Sequence, residues 1–349
     1  MKVAVLQNED PLSSQKWQQA CEKSGIPCEI INLTASDWLS QVLNEKYDFF
    51  LMKPPGNLSH FKTLYDERHY IISKVLKLKT FPSYEECFIY ENKKLLSYFL
   101  EAQGIPHPKT SVFYDLHEAH EFLSKTTFPL VAKTSIGASG SGVTIIRSKD
   151  NALKYVSKAF SKKGIKRQFG PNRNTGTPGK WLGKALKEPR YFVKRLKVYF
   201  SIHKHGERDF VIFQEYIPHA FEWRAVRIGD SYFAHQKVKV GDKASGSKGI
   251  DYVNPPESLL NFIKDLCETN RFNFMAIDIF EDGKGGYLVN ELQTLFGHVQ
   301  DYILSIDGRI GRFRFLNNQW VFEEGNFNTN ESYDLRLETA LSLYKNGNW

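Results

Sequence analysis

Short apolar runs alternate with amphipathic stretches at the start of the chain. Three apolar runs are typical of buried strands: KVAVLQ, CEIINL and YDFFLMKPPG. The two stretches between them, residues 12–24 and DWLSQVLNEK, are typical of helices. Strands that alternate with helices pack as a parallel sheet covered by those helices. The pattern therefore predicts a small α/β domain over residues 1–85, a fold that by itself indicates no activity.

The following residues have a different order of elements and predict two α+β lobes. Residues 86–215 begin with an amphipathic helix and continue with strands and helices, in the order ENKKLLSYFLEAQ, SVFYD, HEAHEFLSK, PLVAKT, VTIIRS, DNALKYVSKAF and DFVIFQEYI. Residues 216–349 are richer in strands, which surround one helix: WRAVRIG, SYFAHQKV, SLLNFIKDLCETN, FMAIDIFED and GGYLVNELQ. A hairpin that turns at Asn317-Asn318 and a last helix, YDLRLETALSLYK, follow.

The composition fits a multidomain protein of the cytoplasm. With 349 residues and 41% hydrophobic content, the chain is large enough for two or three cores. Its start, MKVAVLQNED, leads directly into a strand and lacks the apolar run of a signal peptide. No run reaches the ~18 apolar residues of a membrane span. None of the four cysteines forms a CxxC pair, so neither a disulfide framework nor a zinc site is predicted.

One segment carries the excess of positive charge. Residues 161–208 hold 14 Lys or Arg and two acidic residues, a net charge of +12, in a chain whose net charge is +8. Such a local excess predicts a surface that meets an anionic partner, although a solvated basic face is the simpler alternative. Six aromatic residues between the charges would either stack on sugars or form a small core: Phe169, Trp181, Tyr191, Phe192, Tyr199 and Phe200.

The first candidate for chemistry is the phrase PLVAKTSIGASGSGVTII. An apolar strand leads to Lys133, and a loop of small residues that includes Gly140, Ser141 and Gly142 joins it to another strand. Small residues let backbone N–H groups approach an anion, and the lysine adds a positive charge. The strand–loop–strand order disfavours a P-loop or a dinucleotide fingerprint, because both lead into a helix. A polar hairpin with a surface lysine is the alternative.

The second candidate is VIFQEYIPHAFEWRAVRIG. The strand end would offer backbone donors and acceptors to an adenine edge through Gln214, Glu215, Tyr216 and Ile217. In the next strand, Glu222 suits ribose hydroxyls and Arg224 suits a phosphate. A pair of strands with charged residues that face water is the alternative.

The third candidate is a set of oxygen-bearing side chains on two late strands. Asp278 lies in an otherwise apolar strand, and Glu291 and Gln293 share one face of the next strand. Carboxylates beside nucleotide phosphates are the ligands that Mg²⁺ prefers, whereas a structural salt bridge is the alternative. Between the second and third candidates, Lys237 and Lys239 also share one strand face, which makes both candidates for binding a phosphoryl group.

Taken in chain order, these features resemble the ATP-grasp superfamily over about residues 85–300. The resemblance implies that Lys93 and Lys133 bind the nucleotide, that residues 214–217 hold adenine and that Glu222 holds ribose. It also implies an ATP-grasp fold, with a small N-terminal parallel α/β domain and two α+β lobes that sandwich ATP. Three departures stand out: Gln293 replaces the family's asparagine, Lys133 and Gln214 are unusually far apart, and lysines stand near residue 237 where related ligases carry an arginine.

The resemblance further implies an ADP-forming carbon–nitrogen ligase that uses ATP and Mg²⁺, with two ions expected. A carboxylate attacks the γ-phosphoryl group, and an amine then displaces phosphate from the acyl-phosphate. Asp278, Glu291 and Gln293 would hold metal, while Arg224 and Lys237 or Lys239 would act on the phosphoryl group. The loop 137–142 would close as a lid.

The overall layout is similar to ATP-grasp proteins of bacterial surface-polysaccharide (capsule) biosynthesis, on the phrases ENKKLLSYFLEAQGIPHPKT, TTFPLVAKTSIGASGSGV and WVFEEGNFN. This similarity implies that an amino acid or amine is joined to a uronic-acid carboxylate. The expected partners are that amine and an anionic, glycan-linked acceptor. Peripheral contact with a membrane-linked glycan and pairing with a second copy of the chain are also expected.

Three alternatives stay open at this point. The acceptor would instead be a peptide or protein side chain, or the chain would bind ATP as a regulatory module without catalysis. Specific nucleic-acid binding is disfavoured, because no recognised DNA or RNA module surrounds the basic segment.

Overall fold

The computed structural model describes residues 1–55, 58–137, 140–167, 206–241, 243–244, 249–296 and 300–349. Most of the basic segment 161–208, including its six aromatic residues, therefore lies outside the described residues.

The N-terminal residues form a four-stranded parallel sheet in the order β2-β1-β3-β4. Its strands are β1 (Val3–Gln7), β2 (Cys28–Asn32), β3 (Phe49–Met52) and β4 (Thr80–Phe81). The accompanying helices are α1 (Gln15–Lys23), α2 (Trp38–Asn44) and α3 (Ser59–Tyr70), and α3 continues into a π-helical turn at Ile71–Val75. Residues 3–6 are at most 1% exposed, because both faces of β1 are covered.

Two helices connect this sheet to the rest of the chain. They are α4 (Tyr84–Ile89) and α5 (Lys93–Ala102). Ser83 and Glu86 form a capping box at the start of α4, and the Asn92 side chain accepts a hydrogen bond from the Leu95 amide at the start of α5. Gly104, with φ +63°, follows the end of α5. The cap at Asn92 fixes where Lys93 begins its helix, which matters for the site below.

The middle sheet is antiparallel, in the order β5-β8-β6-β7. Its strands are β5 (Thr110–Phe113), β6 (Leu130–Lys133), β7 (Val143–Ile146) and β8 (Val211–Glu215), with helices α6 (Leu116–Lys125) and α7 (Lys149–Ala159). Leu130, Ala132 and Phe213 face the core that these helices cover. Because side chains alternate along a strand, Lys133 and Gln214 lie on the opposite face.

A larger antiparallel sheet follows, with its main strands in the order β14-β13-β9-β10-β16-β15. The strands are β9 (Phe221–Ile228), β10 (Ser231–Val240), β11 (Lys243–Ala244), β12 (Ile250–Asp251), β13 (Phe274–Glu281), β14 (Tyr287–Gln293), β15 (Ser305–Ile306), β16 (Arg309–Leu316) and β17 (Gln319–Glu324). Two helices, α8 (Glu257–Thr269) and α9 (Tyr333–Asn346), pack against β9.

The predicted fold class is confirmed, with a parallel α/β sheet followed by antiparallel sheets. The tail hairpin is present as β16 and β17, and its turn residues Asn317 and Asn318 have φ +48° and +63°. The predicted domain boundaries near residues 85 and 215 stay a prediction. Among the described helices, none combines the length and the apolar character that crossing a bilayer requires.

Glu86 is predicted to carry much of the junction between the linker helices and the large sheet. Its two oxygens accept hydrogen bonds from the backbone amides of Ser83 and Phe274, each at 2.7 Å, and the residue is 1% exposed. Glu86→Ala leaves both amides without an acceptor and is expected to lower the free energy of unfolding by about 2–4 kcal/mol. Urea unfolding measures the change.

The matched control is Glu85→Ala in the same helix turn. Glu85 pairs with Lys74 at the surface, where its side chain is 55% exposed. An exposed pair of this kind contributes about 0–1 kcal/mol. Equal effects of the two substitutions would contradict the structural role given to Glu86.

Candidate functional site

A row of polar side chains crosses the centre of the large sheet. The strand register pairs Glu291 with Asp278, Asp278 with Arg224 and Arg224 with His235. Directly paired residues on neighbouring antiparallel strands lie on the same face. The register therefore brings together residues that the sequence places far apart.

Asp278 is the most constrained member of this row. Its carboxylate accepts hydrogen bonds from Arg224 Nε at 2.5 Å, Arg224 Nη2 at 3.0 Å and Lys237 Nζ at 2.7 Å, and the residue is 3% exposed. Burial would raise the pKa of Asp278, but the two cations outweigh it and hold the pKa well below its usual range. Asp278 is therefore a carboxylate at neutral pH.

The two lysines of β10 lie in different surroundings. Lys237 Nζ lies 2.7 Å from Asp278 and 2.8 Å from Glu222, so it bridges two carboxylates. Lys239 Nζ instead donates to the Tyr216 hydroxyl at 2.9 Å, in the predicted adenine hinge. This geometry favours Lys237 over Lys239 as the residue nearest the acidic row.

Glu291 continues the row at the other end. It lies 3.1 Å from Lys93 Nζ and accepts a hydrogen bond from Gln293 Nε2 at 2.7 Å. Burial would raise the pKa of Glu291, but Lys93 holds it below its usual value. Gln293 Nε2 also lies 3.5 Å from Asp278, so the three predicted metal ligands are neighbours.

A β-bulge in β14 adds a residue that the sequence pattern did not identify. The ladder pairs Asp278 with Glu291 but Ile279 with Val289, which leaves Asn290 as an extra residue. Its side-chain oxygen accepts a hydrogen bond from Lys133 Nζ at 2.9 Å and thereby joins the large sheet to the middle sheet. Apolar periodicity contains no signal for a bulge, so only the register reveals this contact.

Lys133 differs from the other cations of the site. Lys93, Arg224 and Lys237 each lie within 4.0 Å of a carboxylate, whereas among the described residues Lys133 forms no ion pair. It is 9% exposed, and burial lowers its pKa to about 8. Its positive charge is therefore the least compensated of the four.

The glycine loop after Lys133 is a tight connection between β6 and β7. The Thr134 amide donates to the Gly142 carbonyl at 2.9 Å, and the Val143 amide donates to the Gly140 carbonyl at 3.3 Å. Gly140 has φ +66°, and a Cβ atom at Gly142 would lie 1.9 Å from Thr134 Oγ1. Ser141 lies between these glycines. Ala138 and Ser139 lie outside the described residues, so the lid stays a prediction.

The predicted adenine hinge follows β8. Gln214 is buried and donates to Thr110 Oγ1 at 3.0 Å, while Glu215 turns outward and accepts from the Lys109 amide at 2.8 Å. The Ile217 carbonyl bonds to His219 Nδ1 at 2.7 Å. Glu222, the predicted ribose ligand, is 8% exposed and pairs with Lys237.

The residues present fit a magnesium site made with a nucleotide. Asp278 and Glu291 offer two carboxylates on adjacent strands, and Gln293 adds an amide oxygen on the same face. No group of three or more His, Cys, Asp or Glu side chains among the described residues is arranged to hold a metal. Mg²⁺ commonly takes one or two carboxylates and completes its shell with phosphate and water, which suits this limited set.

Comparison with known proteins gives one family match. Residues 91–173 match the model described as phosphoribosylglycinamide synthetase, ATP-grasp (A) domain. This range contains Lys93, Lys133 and the glycine loop. Among curated proteins, no relative matches the chain.

Solved structures match over nearly the whole chain. D-alanine–D-alanine ligase from Bacillus anthracis has a TM-score of 0.54 at 15% identity and covers 99% of each chain. N5-carboxyaminoimidazole ribonucleotide synthetase from Thermotoga maritima has a TM-score of 0.54 at 13% identity, over 97% of this chain and 75% of that one. N5-carboxyaminoimidazole synthase from Aspergillus clavatus, in complex with ADP and 5-aminoimidazole ribonucleotide, has a TM-score of 0.54 at 12% identity, over 98% of this chain and 76% of that one.

At these identities the likeness establishes the fold and leaves the activity to be argued from the site. The family match over residues 91–173 and the solved structures indicate the same fold. The chain has the ATP-grasp fold.

Proposed function

We propose that this protein is an ATP-dependent carboxylate–amine ligase that forms ADP and an amide through an acyl-phosphate. The observation that carries the proposal is the charge cluster between the two antiparallel sheets, in which Arg224 and Glu291 are half-buried and the other five charged residues are buried. Four cations (Lys93, Lys133, Arg224 and Lys237) lie beside three carboxylates (Glu222, Asp278 and Glu291). Burial of so many charges is costly and concentrates at sites of function.

The cluster has the composition that a metal-bound triphosphate needs. Asp278, Glu291 and Gln293 would hold Mg²⁺, which when bound offsets charge on the β- and γ-phosphates. With Mg²⁺ held at Asp278, Arg224 and Lys237 would be able to contact phosphate oxygens, where they would offset negative charge. Lys133 carries the least compensated charge of the four cations, and the small residues Gly140, Ser141 and Gly142 would let the loop backbone approach the phosphates.

The remaining roles follow from position. Gln214, Glu215, Tyr216 and Ile217 would contact adenine beside the Lys239–Tyr216 pair. Glu222 would bind ribose, and Lys93 would orient Glu291 and reach the phosphates. These residues position the reacting groups and stabilise charge, which is how phosphoryl transfer is accelerated. The names of the structural neighbours, a ligase, a synthetase and a synthase, support this class of reaction.

For the acceptor, we propose an anionic, glycan-linked carboxylate of the uronic-acid type, with an amino acid or other amine as its partner. The support is the net charge of +12 over residues 161–208 and the position of the described residues at its two ends. Its two ends meet at an antiparallel bridge between Ile165 and Glu207, beside the glycine loop. A local excess of positive charge would raise the rate at which an anionic acceptor encounters the protein.

The decisive experiment measures ADP release with paired substrates. Amino acids are screened with a glucuronate-containing acceptor and, in parallel, with an acidic peptide. A ligase releases ADP only when both substrates are present, and a heavy-oxygen label in the acceptor carboxylate then appears in phosphate. ADP release with an amino acid and the peptide, but not with an amino acid and the glucuronate acceptor, would identify a peptide or protein side chain as the acceptor. If ATP binds but no mixture releases ADP, the protein is a regulatory ATP-binding module without catalysis.

The affinity for ATP is expected to depend on the proton of Lys133. Lys133 is a cation below its pKa of about 8 and neutral above it, so affinity is present below this pH and is lost as pH rises through it. The loss is expected to approach about tenfold per pH unit. Isothermal calorimetry from pH 6 to pH 10 measures the profile.

Asn290→Asp tests the same interaction with a carboxylate in place of the amide. The new carboxylate raises the pKa of Lys133, so the loss of ATP affinity near pH 8 moves to higher pH. It also compensates the charge of Lys133, so the affinity for ATP at pH 7 drops about tenfold. Asn318→Asp, in the exposed hairpin turn, is the matched control and leaves the profile unchanged. An unshifted profile in Asn290→Asp would contradict the role of this pair.

The basic segment is expected to act on the acceptor and leave ATP binding unchanged. Replacing Lys194, Arg195 and Lys197 together by Gln should raise the acceptor KM about tenfold at low salt and reduce its salt dependence. The matched control replaces three exposed lysines on α6 and α7, namely Lys125, Lys154 and Lys158. Steady-state kinetics at two ionic strengths compare the variants, and equal KM values would remove the segment from acceptor binding.

A further inference from the structure

The start of the glycine loop is held by two carboxylates from other parts of the chain. Glu207 accepts hydrogen bonds from the Ser135 amide at 2.6 Å and from the Ile136 amide at 2.9 Å, one with each of its oxygens. Glu91 accepts a hydrogen bond from the Gly137 amide at 2.6 Å. Three consecutive backbone donors are therefore already satisfied within the protein.

The same part of the loop also contacts the start of α5. The Lys93 amide donates to the Ser135 carbonyl at 3.0 Å, and Lys93 Nζ donates to the Gly137 carbonyl at 3.2 Å. The Ser135 hydroxyl donates to Asn92 Oδ1 at 3.3 Å, and this oxygen also caps the helix. The loop and the helix start are thus joined through backbone and side-chain groups of both.

Lys93 connects this arrangement to the acidic row. The Nζ atom that donates to Gly137 also lies 3.1 Å from Glu291, a predicted metal ligand. Lys93 is 7% exposed, so these partners, and not water, determine where its charge lies. A displacement of the start of the loop would therefore displace Lys93 from Glu291.

The backbone holds Glu91 in a conformation that residues other than glycine seldom adopt. Its φ is +52°, in the left-handed region, and the residue is buried. Such conformations persist only where the surrounding contacts determine them, and they are concentrated at functional sites. The Gly137 amide and the Lys93 ammonium, which lies 4.0 Å from the carboxylate, are contacts of this kind.

An antiparallel bridge fixes the backbone of Glu207. The Ile165 amide donates to the Glu207 carbonyl at 2.8 Å, and the Glu207 amide donates to the Ile165 carbonyl at 2.9 Å. The approach is close, since a Cβ atom at Gly164 would lie 2.6 Å from the Glu207 carbonyl oxygen. The carboxylate is therefore presented to the loop from a fixed backbone.

The occupied amides exclude one role for the start of the loop. The small residues of the phrase after Lys133 predict backbone donors for an anion, and over residues 135–137 that anion is a carboxylate of the protein. A phosphate there would have to displace the carboxylates and would lie beside their negative charge. Residues 135–137 are therefore a support, and the phosphates need other ligands.

We propose that Glu91 and Glu207 are positioning residues for the nucleotide site. Their carboxylates fix residues 135–137, and the fixed loop holds Lys93 beside Glu291. The amides of residues 135–137 take no part in phosphate binding. This inference deepens the proposed function and rests on it, because it takes Lys93 as a nucleotide ligand and Glu291 as a metal ligand.

The first test separates the hydrogen bond of Glu91 from its charge. Glu91→Gln removes the charge but keeps an oxygen that can accept from the Gly137 amide, whereas Glu91→Met removes both at nearly the same length. Amide hydrogen exchange at Gly137 should be about tenfold faster in Glu91→Met than in Glu91→Gln. Equal exchange in the two variants would overturn the role of Glu91.

Glu207→Gln tests the contact with two amides. One acceptor oxygen remains for two donors, so exchange at Ser135 or Ile136 should become about tenfold faster. The matched control is Glu86→Gln, because Glu86 also accepts from two backbone amides but lies at the junction of the linker helices. Unchanged exchange in Glu207→Gln, or an equal response of residues 135–137 to the control, would overturn the role of Glu207.

Calorimetry with ATP and Mg²⁺ gives the second readout, in which the sign of the change is decisive. Glu207→Gln and Glu91→Met should each weaken ATP binding about fivefold, because Lys93 loses its fixed position. Glu91→Gln should bind ATP more tightly than Glu91→Met, and Glu86→Gln should leave the affinity unchanged. Carboxylates that only occupied a phosphate site would, once neutralised, allow tighter binding. Tighter or unchanged ATP binding in Glu207→Gln or Glu91→Met would overturn the proposal.

The two proposals fail in different ways. If ATP affinity and exchange respond to the substitutions but no acceptor supports ADP release, the ligase function is lost while the positioning role stands. If ADP release is normal but neither exchange at residues 135–137 nor ATP affinity responds, the positioning role is lost while the ligase function stands.

Discussion

The arrangement of the whole site depends on the ion pairs of Asp278 with Arg224 and Lys237. A carboxylate in the middle of a sheet is tolerated only with close partners, and loss of one partner of a buried pair costs about 3–5 kcal/mol. Asp278, Arg224 and Lys237 come from β13, β9 and β10, so these ion pairs hold three adjacent strands in register. The fold therefore pairs these charges with one another inside the protein.

The two antiparallel sheets meet through contacts that depend on this row. Lys93 reaches Glu291 from the linker helix, and Lys133 reaches Asn290 from the middle sheet. Since the bulge brings Asn290 to Lys133 beside Glu291, one irregularity in β14 serves both contacts. A regular strand would turn one of the two side chains away. The bulge thus explains how one strand contacts two lysines from two other parts of the chain.

Apolar periodicity predicted most of the strands and the longer helices, because burial on one or both faces leaves a clear pattern. It did not predict α3, whose sequence SHFKTLYDERHY is mostly polar although Lys62, Tyr65 and His69 are buried. The candidate site followed from the order of lysine, glycine loop and acidic strands. The bulge at Asn290 and the difference between Lys237 and Lys239 depend on register, and no local signal in the sequence encodes register.

The position of the basic segment follows from the topology of the middle sheet. After α7 the chain must return to β8, which lies between β5 and β6. The connection between Ala159 and Val211 contains the basic segment. The antiparallel bridge between Ile165 and Glu207 holds the two described ends of this connection together. Because β6 ends at Lys133, the bridge places Glu207 beside the end of that strand, where its carboxylate accepts hydrogen bonds from the amides of Ser135 and Ile136.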